Sequence, residues 1–521
     1  MEEIFSYEVM PYPSKFFLQT HPDRLATLAT LFGMNPAKVE NCRVLELGCG
    51  NGSNLISHAF NLPDAKFIGV DLAENHIADA KRSAEELNLS NIEFYQMDVM
   101  EMSVKQFGKF DYVIAHGLFS WVPDFVREKT LVLYREFLNE SGVGYISYNA
   151  FPGAHHRQMV QKMMRFHARH FDEPLEKVGK SISFLAFLSE NTTEKEIFAP
   201  ILQSELKRHF EHDAADIFHD DLSDLNVAFY FHEFAELLKK NNLQYLAEAE
   251  LHAMGTQSLS KDAREFIESL DDIVEREQYL DFFRGRIFRQ TLFCREEIAL
   301  DRNPEPAVMN KFLLSSSVRP QSAKPEIATQ KVEKFVGMKG VGIEIDHPLT
   351  KAALVHLGQI WGRAIAFGEL LQKAKETVIS QGFKTNNWDE QFYITSAILL
   401  QICRGTGLIE LHLFQPEAAT EVSEKPKVNR LAIWQLPQAS NVLTLLNLDV
   451  KIEDDVSRHL LQICDGTRDR EGLIIEMREF IEQSEDVEDK ETLLKDLPEW
   501  TGESLAQLAK LGMFENQNAE R

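Results

Sequence analysis

The chain has 521 residues, 44% of them apolar and 26% charged, with a formal net charge of −26. That composition fits a soluble globular chain of two to four domains and excludes a disordered or fibrous one. No stretch of 18 apolar residues is present and the start, Met1-Glu2-Glu3-Ile4, has no secretory-signal character, so no membrane span and a cytoplasmic location are expected.

The acidic balance repels phosphate backbones, which argues against nucleic acid as partner; it steers toward basic partners or simply keeps the chain soluble. Five cysteines, Cys42, Cys49, Cys294, Cys403 and Cys464, form no close pair, so free thiols are expected, with neither a disulfide framework nor a metal site.

Strands and helices alternate from the first fifty residues on. Arg43–Leu47 reads as a buried strand, followed by a glycine-rich turn and a helix near Asn54–Asn61. Lys66–Val70 is a second strand ending at Asp71, Ile77–Leu87 a helix and Ile92–Gln96 a third strand. Phe110–Ala115, a helix over Val126–Leu138 and a strand over Val143–Tyr148 follow. Residues 152–224 read as a helical insertion, with a separate middle domain as the alternative, and carry helices over His156–Phe171 and Thr193–Phe210. A helix over Phe231–Lys240 and strands over Leu243–Ala249 and Arg286–Cys294 then complete a seven-stranded, doubly wound α/β sheet.

The domain at 1–300 thus holds the insertion and a middle region near 210–300. The Pro/Ser-rich residues 301–345 read as a linker. Residues 346–521 read as an α+β C-terminal domain. Its helix–helix–strand–loop–strand order, with a last strand at Leu431–Trp434, is that of a winged helix. The polar tail after Glu515 is expected to fray.

The chemistry centres on Glu46-Leu47-Gly48-Cys49-Gly50-Asn51-Gly52. Glycines there let the backbone approach a ligand at the carboxyl end of the first strand, where open α/β sheets bind. Asp71, followed by Leu72, suits two ribose hydroxyls. Asp98, followed by Val99, suits an adenine amino group, and His116-Gly117 end the fourth strand. A dinucleotide fits poorly. Ser53 stands where its third glycine would fall, and Glu46 would repel a pyrophosphate but suits an ammonium. The set favours S-adenosylmethionine, with S-adenosylhomocysteine as product.

These motifs and the order of elements resemble class I (Rossmann-like) methyltransferases. A narrower resemblance rests on Pro11-Tyr12-Pro13-Ser14, Gln19-Thr20-His21-Pro22, His116–Pro123, Ser147–Gly153, Tyr279–Phe282, Arg289–Arg295 and Asp465–Asp469. It is to the bacterial subgroup with a methyltransferase regulatory domain, similar to rickettsial protein-lysine methyltransferases. The resemblance implies N-methylation of lysine on a basic or lysine-containing protein, and it leaves oligomerisation open. Departures at Phe119-Ser120-Trp121 and Ala154-His155-His156 bear on the substrate pocket.

Beside the expected methyl position, His116 is a base, a substrate contact or a structural histidine. Trp121 covers the adenine, lines the acceptor channel or simply packs. Tyr148 and Asn149 end the fifth strand, where an asparagine carbonyl can hold an amine or merely form a turn. Tyr7, Tyr12, Gln19 and His21 suit an N-terminal lid, with a helix lead-in as the plain alternative. His155 and His156 are adjacent, point apart on a helix and are read as solvent-facing. Rival functions are a small-molecule N- or O-methyltransferase and a non-catalytic cofactor-binding regulator.

Overall fold

The structure is a computed structural model that describes Met10 and residues 15–338, 340–416, 418–419, 421–439, 441–484, 487 and 489–516. The chain divides into two compact units, one built mainly from residues up to Leu300 and one from Asp301 onward.

In the first unit a 3-10 turn at Leu18–Thr20 leads into α1 (Pro22–Leu31), which His21 caps by accepting from the Asp23 N–H. Then come β1 (Arg43–Leu47), α2 (Ser53–Asn61), β2 (Lys66–Asp71), α3 (Glu74–Glu86), β3 (Ile92–Gln96), the short α4 (Val104–Phe107), β4 (Phe110–Ala115) and α5 (Asp124–Phe137). β5 (Leu138–Ala150) starts five residues before the expected Val143, because Leu138 already pairs with Phe110 ahead of a register shift. The insertion is α6 (Ala154–Ala168), α7 (Pro174–Asn191), α8 (Ala199–Phe210) and α9 (Ala214–Asp221). It is followed by β6 (Ala228–Phe229), α10 (Phe231–Lys240), β7 (Leu243–Glu248), α11 (Lys261–Glu268), α12 (Ile273–Arg284) and β8 (Phe288–Arg295).

The sheet order is β3-β2-β1-β4-β5-β8-β7, with two-residue β6 beside the end of β5. β1 to β5 are parallel, and β8 runs antiparallel to both β5 and β7. Chain direction through the sheet reverses between β1 and β4, which opens a crevice at the carboxyl ends of those strands. Covered on both faces, β1 and β4 are almost wholly buried, as their continuous apolar runs require. Phe110, Phe119, Tyr134, Phe137, Tyr148 and Phe234 fill the core beneath.

The insertion has its own small core of Val160, Met164, Val178, Leu185, Leu202 and Ile217. The buried Asp221 carboxylate is the polar centre of the insertion, accepting from Arg208 and Gln161 and paired with His209. At the β7–β8 edge the fully buried Arg289 guanidinium donates to Glu248 and Asp281 and pairs with Glu277. A charge this deep is tolerable only when paired and hydrogen-bonded.

In the second unit, residues 301–345 are folded and not the expected linker. They form a 3-10 helix and β9 (Leu313–Ser315), β10 (Arg319–Pro320), β11 (Glu333–Val336) and β12 (Gly342–Ile345), and they bury Met309, Leu314, Val318 and Phe335. Their sparse apolar residues suffice because the strands are only two to four residues long.

After them come α13 (Pro348–Gln359), β13 (Ile365–Ala366), α14 (Phe367–Ser380), α15 (Trp388–Thr406), β14 (Glu410–His412) and α16 (Arg430–Gln435). The expected strand at Leu431–Trp434 is therefore helical, because Asn429 caps it by accepting from the Ala432 N–H. β15 (Asn441–Leu443), β16 (Asp449–Lys451), α17 (Asp455–Ile463), α18 (Arg470–Gln483) and α19 (Lys490–Lys510) complete the unit around Leu460, Leu473, Met477 and Leu497. Among the described residues no helix is long and apolar enough to cross a membrane.

Candidate active site

The glycine turn emerges from β1 at the crevice. The Gly48 and Cys49 N–H groups donate to the Val70 carbonyl at 2.8 and 3.1 Å, fastening the turn to β2. Gly50 has φ +54° and nothing within 4 Å of where a Cβ would stand, so its bare backbone faces open space. Gly52 is needed for another reason: a Cβ there would sit 2.6 Å from the Phe94 ring. Asn51 precedes α2, its Oδ1 accepting from the Ser53 hydroxyl at 2.8 Å and from the Ser53 N–H at 3.3 Å. Cys49 is buried, and burial pushes its thiol well above the ordinary range, so the side chain stays a neutral thiol.

Asp71 ends β2 and braces the turn. Its Oδ2 accepts from the Gly50 N–H and its Oδ1 from the Ala73 N–H, both at 2.9 Å. Leu72 beside it is 49% exposed. Asp98 follows β3 and accepts from the Met100 N–H at 2.9 Å, and the half-buried Val99 packs against the core.

Glu46 is buried beneath the turn. Its Oε1 accepts from Asn54 at 2.8 Å, whereas its Oε2 has no partner among the described residues. Desolvation, only partly offset by the Asn54 hydrogen bond, pushes its carboxyl up to about 8. Asn54 also accepts from the Phe17 N–H at 2.9 Å and donates to the Thr20 hydroxyl at 3.0 Å. One amide therefore joins Glu46 to the N-terminal segment.

His116 ends β4 stacked on Phe17, ring centroids 3.5 Å apart, with its Nδ1 2.8 Å from the Tyr145 hydroxyl. Burial, and secondarily the Lys15 ammonium, pushes the imidazole down to about 3, so it is neutral at physiological pH. Gly117, at φ +67°, donates its N–H to the Ser147 hydroxyl. Ser120 accepts from the Asn149 N–H at 2.9 Å, which ties the 116–121 loop to β5. Asn149 is buried, and its amide NH2 donates to Asn226 at 2.7 Å.

The structure thus gathers Glu46, Gly48, Gly50, Asn51, Asp71, Asp98, His116, Gly117 and Asn149 along one edge. It does not bring Tyr148 there. Strand alternation turns that ring into the core, stacked 4.2 Å from Phe234. Trp121 is half-buried in the loop after β4. Gln19 donates to Glu250 at 3.0 Å, just past the end of β7. Tyr7 and Tyr12 lie outside the described residues. His155 and His156 are exposed, His155 stacked on Phe151.

Sequence reasoning missed Phe17, Asn54, Tyr145, Asn226 and Glu250. Only Asn54 carried a signal, as a polar side chain in the first turn of the helix that the glycine motif opens.

Comparisons with known proteins agree with this geometry. Residues 38–213 match a methyltransferase domain, residues 213–295 a predicted methyltransferase regulatory domain, and residues 424–513 the PKMT C-terminal winged helix domain. An uncharacterized protein of Rickettsia prowazekii (strain Madrid E) is 31% identical over 509 residues, covering 94% of this chain and 90% of that one. A second from the same organism is 33% identical over 244 residues, 46% of this chain and 96% of that one. The structure of PKMT2 from Rickettsia typhi in complex with AdoHcy superposes with a TM-score of 0.86 and 26% identity, covering 97% of this chain and 100% of that one.

The residues at the edge fit the cofactor this implies. An unpartnered buried carboxylate oxygen on Glu46 awaits a cation, and Gly50 leaves a cradle that any side chain would fill. The cofactor is S-adenosylmethionine, and the chain belongs to the family of S-adenosylmethionine-dependent methyltransferases that carry a methyltransferase regulatory domain and a PKMT-type C-terminal winged helix.

Proposed function

We propose that the chain methylates lysine side-chain amines of a protein. The observation that carries this reading is the likeness to PKMT2 along 97% of the chain, second unit included. When bound, S-adenosylmethionine supplies an electrophilic sulfonium methyl.

The chain's own residues do the rest. Glu46 and the glycine turn hold the amino-acid end of the cofactor, Asp71 its ribose and Asp98 its adenine. Phe17, Tyr145 and Phe288 surround His116 with rings that exclude water. Desolvation favours the neutral amine that must attack. An imidazole held near 3 cannot retain a proton taken from an ammonium, so His116 is a wall and a positioning group, and the proton leaves to solvent. The carbonyl of Asn149 is the half of that amide able to accept from the amine.

Purified chain incubated with methyl-labelled cofactor and a bacterial lysate should yield methyl-lysine after hydrolysis of the labelled protein. Label confined to small molecules, or no label, refutes the reading.

A further inference from the structure

The α11–α12 hairpin presents large rings to solvent. Phe266 is 42% exposed, Tyr279 37%, Phe282 47% and Phe283 50%. Phe266, Tyr279 and Phe282 are the outer end of a continuous aromatic track. Ring centroids lie 4.9 Å apart for Phe266–Tyr279, 5.8 Å for Tyr279–Phe282, 6.1 Å for Phe282–Tyr230 and 5.2 Å for Tyr230–Phe151.

Phe151 follows the last residue of β5, two positions after Asn149. Phe288, paired in register with Asn149, lies 6.1 Å from His116. The track therefore runs from open solvent to Phe151, two residues along the chain from Asn149.

Carboxylates outnumber cations around it. Asp262, Glu265, Glu268, Asp271, Asp272 and Glu275 are all exposed on the same hairpin, which also carries Lys261, Arg264, Arg276 and Arg284. Contiguous exposed aromatics mark an interaction site. Rings beside carboxylates select a particular chemistry: ammonium groups bind over ring faces and their methylene stems lie along them.

We propose that this acid-rimmed track is where the acceptor protein docks, through a lysine-rich segment that it leads toward Asn149. The proposal rests on the lysine reading above and adds the surface that selects the substrate.

The test uses the full-length protein and fluorescein-labelled poly-L-lysine as probe. The triple variant Phe266→Ser, Tyr279→Ser, Phe282→Ser keeps the formal charge, so any general attraction of polycation to an acidic chain is unchanged. At roughly 0.5–1 kcal/mol per exposed cation–π contact, three lost rings weaken binding about tenfold or more. The matched triple Phe187→Ser, Ile197→Ser, Phe210→Ser, on rings and a chain 60%, 92% and 72% exposed in and beside α7 and α8, should stay within twofold of the parent.

In methyl transfer to poly-L-lysine the track variant should show a KM raised to the same degree with kcat within twofold. Unchanged AdoHcy affinity reports that the unit is folded. A loss of binding under twofold, or an equal loss in the matched triple, overturns the proposal. If the parent protein methylates no lysine polymer at all, it is the lysine reading that fails, and the binding comparison still decides the docking surface.

Discussion

Replacing Glu46 by glutamine separates two effects that the buried carboxyl combines. In the ligand-free protein that group is held up to about 8, first by desolvation, and is therefore mostly protonated at neutral pH. A cationic cofactor needs it ionised, so binding releases a proton. Affinity should rise about tenfold per pH unit between pH 6 and 7, a window in which an α-amino group, ordinarily near 7.7–8.0, stays charged.

Stability runs the other way. A folded-state value raised above the unfolded one contributes stability at low pH that is lost as pH climbs toward 8. For a shift from 4.5 to about 8, linkage gives a loss of about 2 kcal/mol between pH 6 and pH 8. The glutamine keeps an acceptor for Asn54 but cannot ionise, so both slopes should vanish in Glu46→Gln. Calorimetric titration with S-adenosylmethionine at pH 6, 6.5 and 7, with urea melts of both proteins at pH 6 and 8, reads the two effects separately. A flat affinity profile in the parent, or a slope retained in the variant, refutes the assignment of Glu46 to the cation.

Asp71→Ala removes the acceptor for two backbone N–H groups as well as the proposed ribose contact. AdoHcy affinity should fall by about a hundredfold or more, and near-parental affinity by calorimetry would refute the ribose role. Phe17→Ala uncovers His116, whose imidazole should move up from about 3 toward its ordinary value; an NMR titration with His116 unmoved contradicts the stacking argument. Arg289→Met strands the carboxylates of Glu248, Glu277 and Asp281, which costs about 3–5 kcal/mol. A urea melt within 1 kcal/mol of the parent shows the cluster to be dispensable.

The cofactor turn was legible because its demands are local. Glu46 through Gly52, Asp71 and Asp98 sit at fixed offsets from strands whose apolar runs announce themselves. The acceptor side was not, because it is assembled across the chain: Phe17 reaches His116 over 99 positions and Asn149 meets Asn226 over 77. No spacing rule encodes either meeting. Tyr148 was misjudged because the end of a strand is shared by two faces, and only the register with β8 says which one its ring takes. Residues 301–345 misled because proline and serine suggest a linker, although four short strands need only a few apolar residues to hold them.

The matched regulatory domain is not a separate body laid beside the catalytic one. Residues 213–295 supply β6, β7 and β8, and β8 is the direct neighbour of β5 along Gly144 to Asn149. The methyltransferase sheet is incomplete without them, since β5 would present an open edge to solvent. The same segment carries α12, and Arg289 of β8 holds Glu277 and Asp281 of that helix while gripping Glu248 at the end of β7. Phe288, the residue before this arginine, faces His116. One buried guanidinium therefore joins the helix of the aromatic track to the strand that lines the reacting edge. Phe288 and Arg289 are consecutive in β8, so the strand that holds α12 through one residue packs against His116 through the next.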